Sequence, residues 1–142
     1  MTDKPIEFVR MIVPMLVCLD GASEIEFLKA AFGAVELGRR SGDADAVIHA
    51  TLSIDGNLVM IHGESPGLES RAPQPDGSSP VVIYIYLPDV DGATGRAVAH
   101  GARILTPITD TFWGDRMARI LDPSGHVWNV ASRPIAAAPA EK

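Results

Sequence analysis

His49 and Thr51 stand on one run of strand-forming residues, Ala46 to Ile54, and Met60 and His62 on the next, Asn57 to His62, with Asp55-Gly56 between them. Asp-Gly flanked by two such runs is a hairpin turn, and the turn fixes the register. Counting back from it, Ile54 faces Asn57, Thr51 faces Met60 and His49 faces His62. Directly opposite residues hold their Cβ atoms about 4.5–5.5 Å apart, so the two imidazoles sit side by side. An imidazole titrates near neutrality and can serve as a general base, which makes His49 the candidate catalytic residue. A strand histidine that only hydrogen-bonds to its neighbours is the competing structural account. Glu64, two residues beyond His62, completes the two-histidine, one-carboxylate composition of some iron sites. The alternative is that the histidine pair only lines a polar pocket wall.

A second group lies in Thr109-Asp-Thr-Phe-Trp-Gly-Asp-Arg116, which reads as a loop. Phe112 or Trp113 can stack on a flat ligand while Asp115 or Arg116 meets its polar end. Equally, Trp113 can plug a barrel mouth while Asp115 and Arg116 pin the loop as an ion pair. Asn129 alternates with Trp128; if Trp128 packs in the core, Asn129 points into the pocket and can hydrogen-bond a ligand. Of the remaining histidines, His126 after a turn glycine suits packing, and His100 at a helix end suits the free carbonyls there. No Gly-rich phosphate loop, Ser/His/Asp set or Cys/His dyad occurs at a usable spacing.

These residues need elements to hold them. The run Met11 to Leu19 reads as a buried strand, demoted by Pro14 to an edge or a bulge. Asp20 caps a helix carrying Ile25, Leu28 and Phe32 at helical spacing, stopped by Gly33. Strands follow at Ala34 to Arg40, then in the hairpin. The hairpin puts Ile48, Ala50, Leu52, Ile54, Val59 and Ile61 on one apolar face and His49, Thr51, Ser53, Met60 and His62 on a mixed face suited to a ligand. The order then repeats: a strand Val81 to Leu87, a helix Asp89 to His100 stopped by Gly101, and strands Ala102 to Thr106, Arg116 to Leu121 and His126 to Ala131. A shift of 68 lays Val13 on Val81, Gly33-Ala34 on Gly101-Ala102 and Ala50 on Ala118, the signature of an internal duplication. The expected organisation is α+β: one βαβββ module over about residues 8–63, a linker at 64–79, a second module over about 80–133 and a frayed tail at 134–142.

Composition excludes several classes. A chain of 142 residues with 46% apolar residues suits one ordinary domain. No run nears the ~18 apolar residues of a membrane span, and the first residues show no basic segment leading into an apolar stretch, so a cytoplasmic protein is expected. The net charge of −6 argues against nucleic acid. The lone Cys18, in an apolar run, reads as a buried small hydrophobe.

Two βαβββ modules at this spacing resemble the vicinal oxygen chelate superfamily, which contains the glyoxalases, bleomycin-resistance proteins and a group of dioxygenases. Phe112-Trp-Gly-Asp-Arg116 with Asp122-Pro-Ser-Gly-His-Val-Trp128 closely resembles its PhnB-like branch, as do His49-Ala-Thr-Leu52 and Asp89-Val-Asp91. The resemblance covers about residues 8–133. It implies strands curling into half-open cups around a pocket, a small-molecule ligand, and often a homodimer. Metal-dependent members place His, Glu or Gln ligands on the first and last strands of each module. Here the first strand offers Val13, Pro14 and Met15, the fifth Val81, Val82, Ile83 and Tyr84, and the eighth Asn129 where those relatives carry a Glu. The usual metal set is absent, and no metal or other cofactor is expected.

The expected ligand-binding residues are therefore His49, Thr51, Met60, His62, Phe112, Trp113, Asp115, Arg116 and Asn129. Three functions compete. The first is sequestration of a cationic antibiotic, drawn by the acid excess. The second is lyase or dioxygenase chemistry, on the His49/His62/Glu64 cluster or on His49 alone as a base. The third, which we adopt as the broad reading, is PhnB-like binding of a small organic molecule, with or without turnover.

Overall fold

Two helices begin alike. Asp20 Oδ1 accepts from the Ser23 N–H at 3.1 Å ahead of α1 (Gly21–Phe32), and Asp89 Oδ1 accepts from the Gly92 N–H at 3.0 Å ahead of α2 (Val90–Ala99). Each cap satisfies a backbone donor that the first helical turn leaves without an acceptor. The computed structural model describes residues 10–74 and 77–134. The expected tail from 135 onward, residues 8 and 9 of the first module and linker residues 75 and 76 lie outside the described residues.

Around α1 the chain forms β1 (Met15–Val17), β2 (Val35–Ser41), β3 (Val47–Ile54) and β4 (Asn57–His62). Around α2 it forms β5 (Val82–Tyr86), β6 (Arg103–Asp110), β7 (Arg116–Leu121) and β8 (Val127–Ser132). The two four-stranded sheets run β1-β4-β3-β2 and β5-β8-β7-β6, with the first-named pair of each parallel and the rest antiparallel. This is the expected α+β arrangement of two βαβββ modules. Pro14 stands just outside β1, an edge strand, where it need donate nothing and its carbonyl still accepts from the Met60 N–H at 2.8 Å.

The repeat is less uniform than a single shift of 68. Gly33 and Gly101, and the core residues Ala50 and Ala118, do stand 68 apart. The helix caps Asp20 and Asp89 stand 69 apart, however. So do both partners in the matching bonds from Cys18 N–H to His62 O and from Leu87 N–H to Ala131 O. Val13 therefore matches Val82 and not Val81. The reason is local: α2 is shorter between its cap and its terminal glycine by one residue, and the turn Pro123-Ser-Gly125 is longer by one than Asp55-Gly56. The two changes cancel. A second difference from expectation is that β6 continues to Asp110, past Pro107. Register shifts at Ile104/Thr106 and Thr106/Thr109 absorb the proline on this edge strand. The loop that follows is therefore short, from Thr111 to Asp115.

One core holds both modules. Ala50, Leu52, Ile54, Val59 and Ile61 from the first sheet are buried in the same cluster as Ile85, Ile120, Trp128 and Val130 from the second, with Ile25, Leu28, Phe32, Ala93 and Ala97 from the helices. Each isoleucine, leucine or valine so buried contributes roughly 1.5–3 kcal/mol. Phe32 meets Trp128 with ring centroids 5.1 Å apart, so the end of α1 packs against the second sheet. Trp128 is fully buried, and its indole N–H donates to Asp122 Oδ2 at 2.8 Å, which satisfies its polar edge. The modules are also tied by Arg96 Nε, which donates to Ala31 O at 3.1 Å, and by the His126 Nε2–H, which donates to Val17 O at 2.9 Å. Because a strand alternates its faces, each sheet that turns one face to this core turns the other away from the helices. That second face carries the candidate site.

Candidate functional site

The hairpin register is the one counted from the turn. His49 pairs with His62, Thr51 with Met60 and Ile54 with Asn57. β1 adds Met15 beside Met60 and Val17 beside His62, so His49, Thr51, Met60 and His62 share one half-buried face with two further apolar side chains. The imidazole centroids are 6.0 Å apart at 73°. His62 Nδ1 lies 2.8 Å from Gly63 O; a carbonyl can only accept, so this nitrogen carries its hydrogen there and Nε2 is left toward the face.

The second module builds its face from different side chains. Asn129, almost fully buried, pairs with Tyr84 on one side and Arg119 on the other, and the Arg119 Nε–H donates to Asn129 Oδ1 at 2.7 Å. Beside it, Asp115 collects four donors. Arg133 Nε reaches Oδ1 at 2.6 Å, while Tyr84 OH at 2.5 Å, Tyr86 OH at 2.8 Å and Trp113 Nε1 at 3.2 Å reach Oδ2. Burial on its own would push the Asp115 carboxyl up, but Arg133 and the two phenols donate to its charged form and hold it below the usual carboxylate range. The same burial and the same bond push the Tyr84 phenol up to about 12.

The structure thus separates the sequence candidates. Trp113 joins the Asp115 group through its indole N–H, and Phe112 stands edge-on to it, 4.8 Å between centroids, with most of its own surface in solvent. The expected Asp115–Arg116 ion pair does not form. Arg116 sits in register with Ser132, on the side of the sheet that meets α2, and pairs with Asp91 Oδ1 at 2.8 Å and Asp110 Oδ1 at 3.0 Å. Adjacent residues of a strand point to opposite faces, so the start of β7 parts Arg116 from the ligand face. The His49/His62/Glu64 cluster also fails to assemble. Glu64 Oε2 is taken by the Ala72 N–H at 2.9 Å, and no group of three or more His, Cys, Asp or Glu side chains able to hold a metal occurs among the described residues. The first and last strands of each module present Met15, Val17, Met60, His62, Tyr84, Tyr86, Asn129 and Ala131 to these faces. A single imidazole, phenols fixed on a carboxylate, an amide engaged by arginine and thioethers do not make the donor set of a divalent ion. The residues present do not fit the metal of metal-dependent relatives.

Sequence reasoning missed Tyr84, Tyr86, Arg119 and Arg133. The alternation Tyr84-Ile85-Tyr86 was available as a signal that both phenols share a face. Arg119 and Arg133 matter only through their partners, which no local pattern reveals. Two cavities, about 760 and 410 Å³, lie along the seam where β1 approaches β5. The smaller is lined by Tyr84 and Tyr86 together with Met11 to Pro14, while Met15, Val17 and Val82 line the larger.

With this geometry in place the comparisons with known proteins are direct. The sequence profile of the Glyoxalase/Bleomycin resistance protein/Dioxygenase superfamily matches residues 11–130, and the chain belongs to that superfamily. An uncharacterised protein of Mycobacterium bovis is 42% identical over 120 residues, covering 82% of this chain and 79% of its own. Among solved structures, TioX from Micromonospora sp. ML1 superposes with a TM-score of 0.68 at 27% identity, over 87% of this chain and 98% of that one. The fosfomycin resistance protein FosX of Listeria monocytogenes, determined with Mn(II) and sulfate, superposes with a TM-score of 0.66 at 17% identity, over 91% and 94% of the two chains. At that identity the likeness shows the fold alone. No helix among the described residues is long and apolar enough to cross a membrane.

Proposed function

We propose that this protein binds a small organic molecule on the sheet faces turned away from its helices, in the manner of a PhnB-like member, without the divalent ion used by metal-dependent relatives. The observation that carries the reading is the aromatic wall of Tyr84, Tyr86 and Trp113. All three polar groups are fixed on the ionised Asp115, so the rings are held in place before any ligand arrives. A ring held in advance loses little freedom on binding, and flat apolar ligand surface is what such rings receive. Phe112, exposed beside Trp113, is placed to move onto a bound ligand.

The binding faces are open in a single chain, with Met15 at 47%, Tyr84 at 39% and Tyr86 at 48% of full exposure. A homodimer in which a second copy closes each face accounts for this exposed apolar surface. His49 remains the candidate base should the ligand be turned over, since its ring has no hydrogen-bond partner among the described residues and faces the site. The reading disfavours sequestration of a cationic drug. Among the described strand and loop positions of these faces the acid is Asp115, and it is neutralised by Arg133.

Metal content, native mass and Trp113 emission test the proposal together. The expected results are no stoichiometric iron, nickel, manganese or zinc, a dimer mass, and a saturable change in Trp113 fluorescence with a library of flat organic compounds that is lost in Tyr84→Ala. A stoichiometric metal retained after extensive dialysis overturns it. So does a library that leaves Trp113 silent while binding is detected by calorimetry.

A further inference from the structure

A row of three side chains crosses the first sheet. Arg40 on β2 pairs with His49 on β3, and His49 pairs with His62 on β4. Directly opposite residues of antiparallel strands share a face, so the guanidinium and both imidazoles stand in line on the face turned away from the helices. From this juxtaposition we infer that the row is an anion subsite: the ligand of the cup carries a carboxylate or phosphate-type group that docks on Arg40, His49 and His62. The inference rests on the cup-binding reading above and adds the chemical class of the ligand.

Four observations support it. The first is availability. Arg40 forms no ion pair and His49 no hydrogen bond among the described residues, whereas the next residue, Arg39, on the opposite face, is neutralised by Glu36 at 2.6 Å. An unengaged guanidinium beside half-buried imidazoles offers several N–H donors in one place, the arrangement that oxyanions select. The second is the fixed ring of His62. Its Nδ1 hydrogen is given to Gly63 O, which fixes the orientation of the ring within the row before any anion arrives.

The third is the engagement of the nearest acid on β4's side of the row. Glu64 is turned to the Ala72 N–H, and β1 contributes the uncharged Val17 to the row. The fourth is charge segregation. The chain carries −6 overall, yet the strand positions on the two ligand faces include Arg40, Arg103 and Arg119. A net-negative protein that gathers cations on its ligand faces favours a ligand of negative charge.

The test follows the imidazole resonances of His49 and His62 by NMR while inorganic phosphate, and separately benzoate, is added to the full-length protein at low salt. The expected result is a saturable shift of both rings. Arg40→Gln should weaken that response by about tenfold or more, while Arg39→Gln leaves it unchanged. A response to phosphate alone assigns a tetrahedral anion, and one to benzoate alone a carboxylate; either supports the subsite. Equal loss in Arg39→Gln and Arg40→Gln, or no shift of either ring with both probes, overturns it. Should phosphate shift the rings while no organic compound perturbs Trp113, the subsite stands and the cup-binding reading falls. Should an organic compound bind at Trp113 with neither ring responding to any anion, the subsite falls and the cup-binding reading stands.

Discussion

Arg133 and Asp115 meet at 2.6 Å, and this contact joins the end of β8 to the loop before β7. It is one of four donor contacts on a carboxylate with no exposed surface, so the loop carrying Phe112 and Trp113 is held by charge at a buried point. Buried carboxylates of this kind are costly to disturb, because the partners lose their acceptor together.

Asp115→Asn should lower the stability to unfolding by about 2–3 kcal/mol, since Arg133 and two phenols lose a charged acceptor. The same carboxylate sets an acid limb. Its folded-state pKa is depressed, so its contribution is present above the unfolded value and is lost as pH falls through the folded one. Urea midpoints measured from pH 7 down to pH 3 should show that limb in the wild type and a shallower one in the variant.

Glu24 supplies the opposite limb. It is fully buried on α1, and neither of its oxygens meets a donor. Its polar neighbours are the Ser124 side chain and Asp122, which already accepts from the Ser124 and His126 N–H groups and from the Trp128 indole. Two charged carboxylates are poorly accommodated in this place, so Glu24 keeps its proton. Burial first, then Asp122, push its pKa well above the ordinary glutamate value. For an acid with a raised folded pKa, the folded state binds more protons than the unfolded one between the two values, so stability falls as pH rises through that window. Glu24→Gln should abolish this decline and leave the variant the more stable at pH 8–9. Each unit of raised pKa removed corresponds to about 1.4 kcal/mol, and denaturant midpoints at pH 5 and pH 9 read it directly.

Gly33 ends α1 with φ of +69° and its N–H bonded back to Lys29 O. Gly33→Ala should cost about 1 kcal/mol, because a side chain disfavours the left-handed conformation. Gly38 lies in β2 without a positive φ, and an added Cβ there meets nothing within 4 Å. Gly38→Ala should therefore be neutral or slightly stabilising. A pair of thermal melts under one buffer separates the two outcomes.

The caps test the duplication energetically. Asp20→Ala and Asp89→Ala each remove one cap acceptor and should each cost about 1 kcal/mol. The caps are on different helices, so the double variant should lose close to the sum. A double-variant loss well short of that sum would mean that the α1–α2 contact couples the two helix starts.

Much of this molecule follows from local rules that a sequence states openly. A capping aspartate, a terminal glycine, an Asp-Gly turn and strict alternation fixed both helices, the β3–β4 hairpin and the pairing of His49 with His62. Each depends on residues a few positions apart. The sequence also showed the duplication, although not that its offset changes from 69 to 68 and back, because a one-residue loss and a one-residue gain leave the element order intact. The site was legible only in part. Asn129 was correctly set opposite Trp128 by alternation, but Arg116 was not seen to face α2. Asp115 was not seen to choose Arg133 over its own neighbour either. Those choices are electrostatic and depend on which charged groups the fold brings within about 3 Å of one another through distant strands. The same holds for Arg40, placed opposite His49 by a sheet register with bulges on both sides of it. Sequence alone determines which side chains share a strand face wherever no bulge intervenes, since the alternation is built into the backbone; at the Arg40/Ser41 register shift Val47 packs on the core and Ile48, expected there, is exposed. Tertiary structure decides which charges meet across strands, since that depends on register and closure summed over the whole sheet.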